Sequence, residues 1–256
     1  MAFQHPQDPD ETLLQPPAHR AAEGAPPPER PAPGAGGILL RLVRAALWIF
    51  AGTWLFFALL LVVYRFVEPP TTGVQVQRRV EAWIDGGEYS KVHHPVPLAG
   101  LPRHVPRAVV AAEDGRFHDH HGFDWGAIRE AAAEAASGGR VRGASTLTQQ
   151  LVKNLFGCAC RNPVRKLYEV TLTPVAELAL GKERILELYL NQVEWGDGVF
   201  GIDAGARHHY DVPASGLSRT QAAGMAALLP NPRRRTPENT PGYRRAILQR
   251  MDHRGW

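Results

Sequence analysis

Two acidic residues, Glu113 and Asp114, stand side by side, and an aromatic residue and a histidine follow them at Phe117 and His120. They come directly after the apolar segment AVVAA, which predicts a helix that ends with its acidic pair facing a cleft. A carboxyl group buried near an aromatic ring has a raised pKa, and such a group acts as a general base or acid near neutral pH. The residue types alone fit a salt-bridge cluster at a helix end equally well.

A second motif runs from residue 143 to residue 154 and reads GASTLTQQLVKN. Ser145 or Thr146 is placed to cap a helix, whose free backbone N–H groups would suit phosphate oxygens. Gln150 and Lys153 can reach one side of this predicted helix over its first turns. The motif therefore indicates either a cleft that binds phosphate or a well-capped helix with a polar surface.

A third motif combines Arg165, Lys166 and Glu169. Arg165 and Glu169 are four residues apart, so on a helix they can simply pair with each other. Together with Lys153, the two basic residues can instead clamp a pyrophosphate group. Asn191 follows further along the chain and leads into a glycine-rich turn where the backbone can approach a substrate.

The distribution of charge also points to an anionic partner. The 256 residues carry a formal net charge of +4, and residues 140–184 hold eight basic residues against three acidic ones. A local excess of this kind suits a phosphate, a nucleic acid or an acidic membrane surface, or it is the solvated face of a helix. The two cysteines exclude a disulfide-rich mini-protein, and the composition excludes a fibrous repeat, a fully disordered chain and a multi-span transporter.

The elements that must position these residues are mostly helical. From Arg65 onward, apolar residues recur with the 3.6-residue period of a helix in six segments. These segments are AVVAAEDGRF, DWGAIREAAAEAA, TLTQQLVKNLF, VRKLYEVTLTPVAELAL, KERILELYLNQVEW and RTQAAGMAALL. A short extended stretch at residues 73–77 is the one strand predicted early in the chain. Because glycine and proline separate the helical segments, the sequence predicts one mostly α domain.

The N-terminal residues divide into two parts. Residues 1–37 contain nine of the 22 prolines and no apolar period, which predicts a disordered tail or, alternatively, a polyproline segment that binds a partner. Residues 45–64 carry no charge, and a helix of this length spans about 30 Å, the thickness of a bilayer core. A cleaved signal peptide would have a shorter apolar core that ends in small residues. We therefore expect a membrane-spanning helix rather than a buried core helix, and its flanking arginines leave the orientation open.

Histidine and cysteine residues give weaker signals. His118, His120 and His121 lack the separated ligand pairs of a zinc site, so we expect no metal held by protein ligands alone. Cys158 and Cys160 are separated by a single residue, which favours free thiols over a strained, labile disulfide bridge.

Four blocks of the sequence, in this order, resemble the successive motifs of the peptidoglycan glycosyltransferases, glycosyltransferase family 51. The blocks read EDGRFHDHHGFD, GASTLTQQLVKNL, RKLYE and KERILELYLN, and the resemblance extends from about residue 74 to residue 237. The segments EWGDGVFG, ARHHY and LLPNPRR are most similar to the monofunctional biosynthetic peptidoglycan transglycosylases. Each block is moderately specific, and four in one order are far more specific together.

The resemblance implies a lysozyme-like, mostly α glycosyltransferase domain at residues 74–256, on a single N-terminal transmembrane helix at residues 45–64. It implies the polymerisation of lipid II into β-1,4-linked glycan strands, with inversion at C1 and release of undecaprenyl pyrophosphate. No transpeptidase activity is expected, because the sequence ends at Trp256. The expected location is the cell inner membrane, with a cytoplasmic tail at residues 1–37 and the catalytic domain on the periplasmic side.

The resemblance also assigns roles to residues. Glu113 matches the general base, which takes the proton from the 4-hydroxyl of the acceptor. Glu169 matches a second catalytic acidic residue that assists the leaving pyrophosphate, directly or through a divalent cation (Mg²⁺ or Mn²⁺), the one cofactor expected. The residues expected to bind the substrate are Asp114, Phe117, His120, Ser145, Thr146, Gln150, Lys153, Arg165, Lys166 and Asn191. The implied partners are lipid II, the growing glycan strand, the membrane and proteins of cell-wall synthesis or division, without nucleic acid.

Two departures from the family pattern and two rival functions accompany this interpretation. Ala144 stands where the family usually has a second glycine, and Asp211 and Val212 replace a usual Gly-Lys pair, which puts a secondary lysine contact in doubt. One rival is a lysozyme-like hydrolase that cleaves glycan, which would need a water-activating geometry and no pyrophosphate clamp. The other is a membrane-bound scaffold with an inactive site, against which the intact pair of Glu113 and Glu169 argues.

Overall fold

The computed structural model describes residues 1–2, 35–139, 143–160 and 162–256. Most of the predicted tail therefore lies outside the described residues, as do three of the basic residues counted above, Arg140, Arg142 and Arg161. The chain divides into two compact units, residues 1–45 and residues 46–256.

Helices make up most of the described residues, which confirms the mostly α prediction. The nine α-helices in this part of the chain are α1 (Ala35–Tyr64), α2 (Gly73–Ile84), α3 (His104–Glu113), α4 (Trp125–Ala136), α5 (Leu147–Phe156), α6 (Pro163–Gln192), α7 (Ile202–Tyr210), α8 (Arg219–Ala226) and α9 (Pro241–His253). The strands are β1 (Val92–His93), β2 (Glu194–Gly196) and β3 (Val199–Phe200). β3 lies in the centre of this small sheet, parallel to β1 and antiparallel to β2.

Helix α1 is the one described helix that is long and apolar enough to cross a membrane, and its apolar span covers Gly36–Tyr64. It begins before the apolar segment predicted at residues 45–64. Residues 46–64 of this helix belong to the second unit, and within that unit the ring of Phe57 stacks on that of Phe156, with the centroids 4.6 Å apart. A single apolar helix at this position fits membrane anchoring.

Residues 73–77 are helical rather than extended, so the prediction of an early strand was wrong. The Thr72 side chain accepts a hydrogen bond from the Gln75 amide at 3.2 Å and caps the N-terminus of α2. Valine and glutamine alternate here, so in a strand Val74 and Val76 would share one face, but Val74 and Gln75 are buried and Val76 is exposed. Over so few residues the alternation does not separate a strand from one turn of helix, whereas the cap decides in favour of the helix.

Two caps fix where the site-bearing helices begin. Thr146 and Gln149 form a reciprocal capping box at the start of α5. Asn162 accepts a hydrogen bond from the Val164 amide at 2.8 Å, and a proline occupies the first position of α6. Gly181 breaks the helical geometry of α6 with a φ of 73°. The helix therefore consists of two segments, one carrying the RKLYE block and the other carrying the KERILELYLN block.

The sulfur atoms of Cys158 and Cys160, just after α5, are bonded, so the expectation of free thiols was wrong. Their Cα atoms are 5.1 Å apart, a separation that a disulfide can span. Asp211, where the family usually has glycine, ends α7 with a φ of 55°. This left-handed conformation explains the usual glycine, and aspartate is among the residues that tolerate it.

A substitution at Gly122 should destabilise the fold, because its φ is 90° and an added Cβ would lie 2.6 Å from Cγ2 of Thr173. We expect Gly122→Ala to lower the free energy of unfolding by about 2–4 kcal/mol, the sum of left-handed strain and overpacking. The matched control is Gly242→Ala in α9, where an added Cβ meets open space, and we expect it to be neutral or stabilising by up to about 1 kcal/mol. Urea unfolding of both variants measures the difference, and equal stabilities would contradict the argument.

Candidate active site

Glu113 is the last residue of α3, whose valines Val109 and Val110 pack into the core as predicted. The carboxyl group of Glu113 is largely removed from water. Burial raises the pKa of Glu113 above its usual value, although a hydrogen bond from Gln150 and the charge of Lys153 act in the opposite direction. A carboxyl group with raised proton affinity is suited to general base chemistry near neutral pH.

Gln150 and Tyr189 form a hydrogen-bonded chain that ends on Glu113. Nε2 of Gln150 donates to Oε2 of Glu113 at 2.9 Å, and the Tyr189 hydroxyl donates to Oε1 of Gln150, also at 2.9 Å. Gln150 was predicted as a cleft residue, whereas Tyr189 was not among the predicted site residues. Its position in a helical apolar segment indicates packing in the core. A buried tyrosine hydroxyl usually has a hydrogen-bond partner, so a tyrosine in such a segment was the available signal for a polar contact.

Asp114 and His120, both predicted to bind the substrate, contact each other next to Glu113. Asp114 is buried, and its Oδ1 lies 2.9 Å from Nε2 of His120. Its Oδ2 accepts from the backbone N–H of Leu147, the first residue of α5, at 3.0 Å. Both carboxylate oxygens are therefore engaged within the protein, and the pair shapes the site by joining the end of α3 to the start of α5.

Two residues predicted to bind the substrate, Phe117 and Asn191, lie inside the protein. Phe117 has no exposed surface, and its ring lies under Nζ of Lys182, 4.3 Å from the centroid. Asn191 is 1% exposed, and its amide both accepts from and donates to the backbone of Val96. Phe117 is therefore a core residue, and the Asn191 amide connects the end of α6 to the segment that contains Val96.

Thr146, rather than Ser145, caps α5. The Thr146 hydroxyl donates to the Gly122 carbonyl at 2.6 Å and also accepts from the Gln149 amide. Thr146 is 2% exposed, and its hydroxyl makes both of these hydrogen bonds within the protein. Ser145 is exposed beside it and is free to meet a ligand.

Glu169 is buried on α6 between two basic residues. Its Oε2 accepts from Arg165 at 2.7 Å, and its Oε1 accepts from Nζ of Lys166. A cavity of about 320 Å³ opens beside this cluster, and Lys153, Arg165 and Glu169 line it. The structure thus contains the pairing that the spacing allowed and also the grouping of three basic residues that a pyrophosphate clamp requires.

Lys153 interacts electrostatically with both carboxylates, Glu113 and Glu169. It lines the cavity beside Glu169 and also a second cavity of about 240 Å³, which Gln150 and Tyr189 line as well. Burial lowers the pKa of Lys153, while the charges of Glu169 and Glu113 raise it. No ion pair to Lys153 is present among the described residues, so its ammonium group is available to an anionic ligand.

The described residues contain no group of three histidine, cysteine, aspartate or glutamate side chains that could hold a metal ion. Glu169, the predicted ligand of a divalent cation, is one carboxylate whose two oxygens already accept from Arg165 and Lys166. Mg²⁺ is often bound by one or two carboxylates together with substrate phosphates. These residues therefore do not form a cation site by themselves.

Comparisons with known proteins agree with the geometry. Residues 79–252 match the family profile described as Transglycosylase. A biosynthetic peptidoglycan transglycosylase of Pseudomonas syringae pathovar tomato is 45% identical over 222 residues, which cover 85% of this chain and 92% of that protein. The protein of the same name from Ectopseudomonas mendocina is 45% identical over 219 residues, which cover 84% of this chain and 89% of that protein. The one from Pseudomonas putida is 47% identical over 195 residues, which cover 76% of this chain and 81% of that protein.

The raised pKa of Glu113 predicts how one substitution changes stability with pH. Since folding raises this pKa, the folded state favours the protonated carboxyl, and stability is lost as the pH rises from the unfolded pKa through the folded pKa. Glu113→Gln removes that loss, so we expect a higher melting temperature than the wild type at pH 7.5 and no difference near pH 4. The control is Glu183→Gln at an exposed position of α6, which should change neither value. A Glu113→Gln protein that melts lower at pH 7.5 would contradict the assigned sign.

Proposed function

We propose, because the chain belongs to the transglycosylase family, that this glycosyltransferase polymerises lipid II into β-1,4-linked glycan strands with inversion at C1 and release of undecaprenyl pyrophosphate. The observation that carries the proposal is the position of Lys153. It lies within reach of the electrostatic field of Glu113 and lines the cavity of Arg165 and Glu169. A candidate proton acceptor and a candidate site for a departing anion are thereby both close to one lysine.

In the proposed reaction, Glu113 is the general base. The 4-hydroxyl oxygen of the acceptor sugar attacks C1 of the donor while Glu113 takes the hydroxyl proton. The new bond to C1 forms on the face opposite the phosphate, the bond between C1 and the phosphate oxygen breaks, and its electron pair leaves with the pyrophosphate. One displacement of this kind converts an α-linked donor into a β-linked product. The raised proton affinity of Glu113 favours the transfer.

The basic cluster receives the leaving group in this proposal. Lys153, Arg165 and Lys166 supply positive charge where the pyrophosphate develops negative charge, which is the largest electrostatic demand of the reaction. Glu169 accepts from both Arg165 and Lys166, so it holds Arg165 at the cavity and Lys166 next to the same carboxylate. This arrangement assigns Glu169 to positioning the cations. Ser145, exposed beside the start of α5, is a further polar contact for the substrate.

The predicted divalent cation has no step in this scheme. The one carboxylate that the protein supplies here, that of Glu169, is already paired with the side chains of Arg165 and Lys166. An ion that joins the pyrophosphate would take most of its ligands from the substrate and from water. Such an ion would neutralise negative charge on the oxygens of the leaving group, and Lys153 and Arg165 also provide this neutralisation.

The proposed location follows from α1 and from the substrate. Lipid II is held in the inner membrane, so a single membrane-spanning helix keeps enzyme and substrate on one surface and raises their effective concentration. We place the catalytic domain on the periplasmic side and the N-terminal tail in the cytoplasm, with proteins of cell-wall synthesis or division as further partners.

Protease added to spheroplasts should cleave the catalytic domain, and full protection of that domain would reverse this orientation.

The direct test is to incubate the full-length protein, purified in detergent, with lipid II. We expect long glycan that a muramidase digests, together with released undecaprenyl pyrophosphate, and no shortening of glycan made beforehand. Glu113→Gln keeps the shape of the side chain but removes the base, so we expect polymerisation to fall by about 10²–10⁴-fold. A folded wild-type protein that only shortens existing glycan would favour the hydrolase instead, and near-normal activity of the variant would exclude Glu113 as the base.

A second substitution separates the two interpretations of Glu169. We expect Glu169→Gln to lower polymerisation by about 10²–10³-fold, because Arg165 and Lys166 lose the anion that positions them, and to destabilise the fold by about 1–3 kcal/mol. The matched control is Glu177→Gln on the same helix, where a buried carboxylate pairs with Lys182 at 2.9 Å. The control should lose comparable stability and keep most of its activity. Equal activity losses in the two variants would mean that Glu169 is only a structural ion pair.

A further inference from the structure

The hydroxyl group of Tyr189 is buried and hydrogen-bonded to Gln150, which in turn contacts the candidate base, Glu113. Tyr189 is 1% exposed, on the segment of α6 that follows the break at Gly181. Its hydroxyl donates to Oε1 of Gln150, and Nε2 of Gln150 donates to Oε2 of Glu113. Side chains from α6, α5 and α3 therefore form one continuous chain of donors and acceptors.

The chemistry of the three groups allows one direction of this chain when Glu113 is ionised. An ionised carboxylate only accepts hydrogen bonds, so Gln150 must present its N–H to Glu113 and its carbonyl oxygen to Tyr189. Burial raises the pKa of Tyr189 well above its usual value, so the phenol stays protonated and can donate. If the amide turned over, its oxygen would face the carboxylate oxygen, and two acceptors would meet without a proton between them.

We propose, on the basis of the function proposed above, that Tyr189 is a positioning residue that fixes the Gln150 amide with its N–H toward Glu113 and so keeps the general base ionised and oriented. Tyr189 acts through Gln150 and does not itself touch the carboxylate.

Other groups that face Glu113 act through their charge rather than through a hydrogen bond. Lys153 of α5, Arg235 in the segment before α9, and Arg250 of α9 favour the ionised form, and the neighbouring Asp114 is paired with His120. Tyr243 and Arg250 reach toward Glu113 from α9, but both donate to backbone carbonyls, at Ala112 and Ala111. Among the described residues, Gln150 is thus the one side chain that donates a hydrogen bond to the carboxylate, and its orientation matters accordingly.

The first test is the pH profile of kcat/KM for lipid II polymerisation by the full-length Tyr189→Phe variant. Without the phenol, the Gln150 carbonyl has no donor, the amide turns more readily and the pKa of Glu113 rises. We expect the acid limb of the profile to move up by about half to one pH unit, the equivalent of one net hydrogen bond. The control is Tyr243→Phe, which removes a hydroxyl that also interacts electrostatically with Glu113 but is bonded to a backbone carbonyl, and its acid limb should stay in place.

Two further variants show whether Tyr189 acts through Gln150. Gln150→Leu should itself move the acid limb up, and adding Tyr189→Phe to it should produce no further movement. An unmoved limb in folded Tyr189→Phe, or a shift that persists in the Gln150→Leu background, would overturn the proposal. If Tyr189→Phe does not fold, an unmoved limb in Gln150→Leu alone overturns it.

A second readout needs no substrate and therefore separates a failure of this inference from a failure of the proposed function. Since Tyr189→Phe raises the pKa of Glu113, the stabilisation that Glu113→Gln gives at pH 7.5 should be larger in the Tyr189→Phe background than in the wild type. Equal stabilisation in both backgrounds would refute the positioning role, even if lipid II proves not to be the substrate.

Discussion

The hydrogen bond from the Leu147 backbone N–H to Asp114 determines how the candidate site is built. It joins the end of α3 to the first turn of α5, where a carboxylate is stabilised by unpaired N–H groups and by the helix dipole. Since Glu113 directly precedes Asp114 and Gln150 lies one turn after Leu147, this single contact sets the candidate base opposite its donor. His120 binds the same carboxylate and ties the following loop to the junction.

Electrostatic opposition organises the rest of the site. Burial raises the pKa of Glu113 and lowers that of Lys153, so both groups are held away from the charged forms that water would favour. The attraction between Glu113 and Lys153 offsets part of the effect that burial has on their pKa values. Glu169 also attracts Lys153 and raises its pKa. A site of this kind lowers stability in order to keep charges where a reaction needs them, which is why removal of a carboxylate can stabilise the protein and inactivate it together.

The parts of this arrangement that the sequence predicted are those that depend on local chemistry. The cap at Thr146 and the pairing of Arg165 with the carboxylate four residues later follow from hydrogen bonding and spacing along a helix. Phe117 and Asn191 were expected at the substrate and lie inside the protein, because a motif identifies which residues matter without stating which way each side chain points. The hydroxyl of Tyr189 finds its partner on another helix, 39 residues earlier in the chain, and neither periodicity nor propensity records such a contact.

The cavity beside the basic cluster has an apolar wall as well as a charged one. Phe156 and Tyr168 line it together with Lys153 and Arg165, and Phe57 of α1 stacks on Phe156 from behind. A lipid pyrophosphate combines an anionic group with a hydrocarbon chain, and it requires both kinds of surface within a few ångströms of each other. Charged groups gain strength from such a low-dielectric neighbour, because fewer waters screen them. In the function proposed above, α1 therefore contributes to the environment of the reaction through the contact of Phe57 with Phe156, in addition to its proposed role as the membrane anchor.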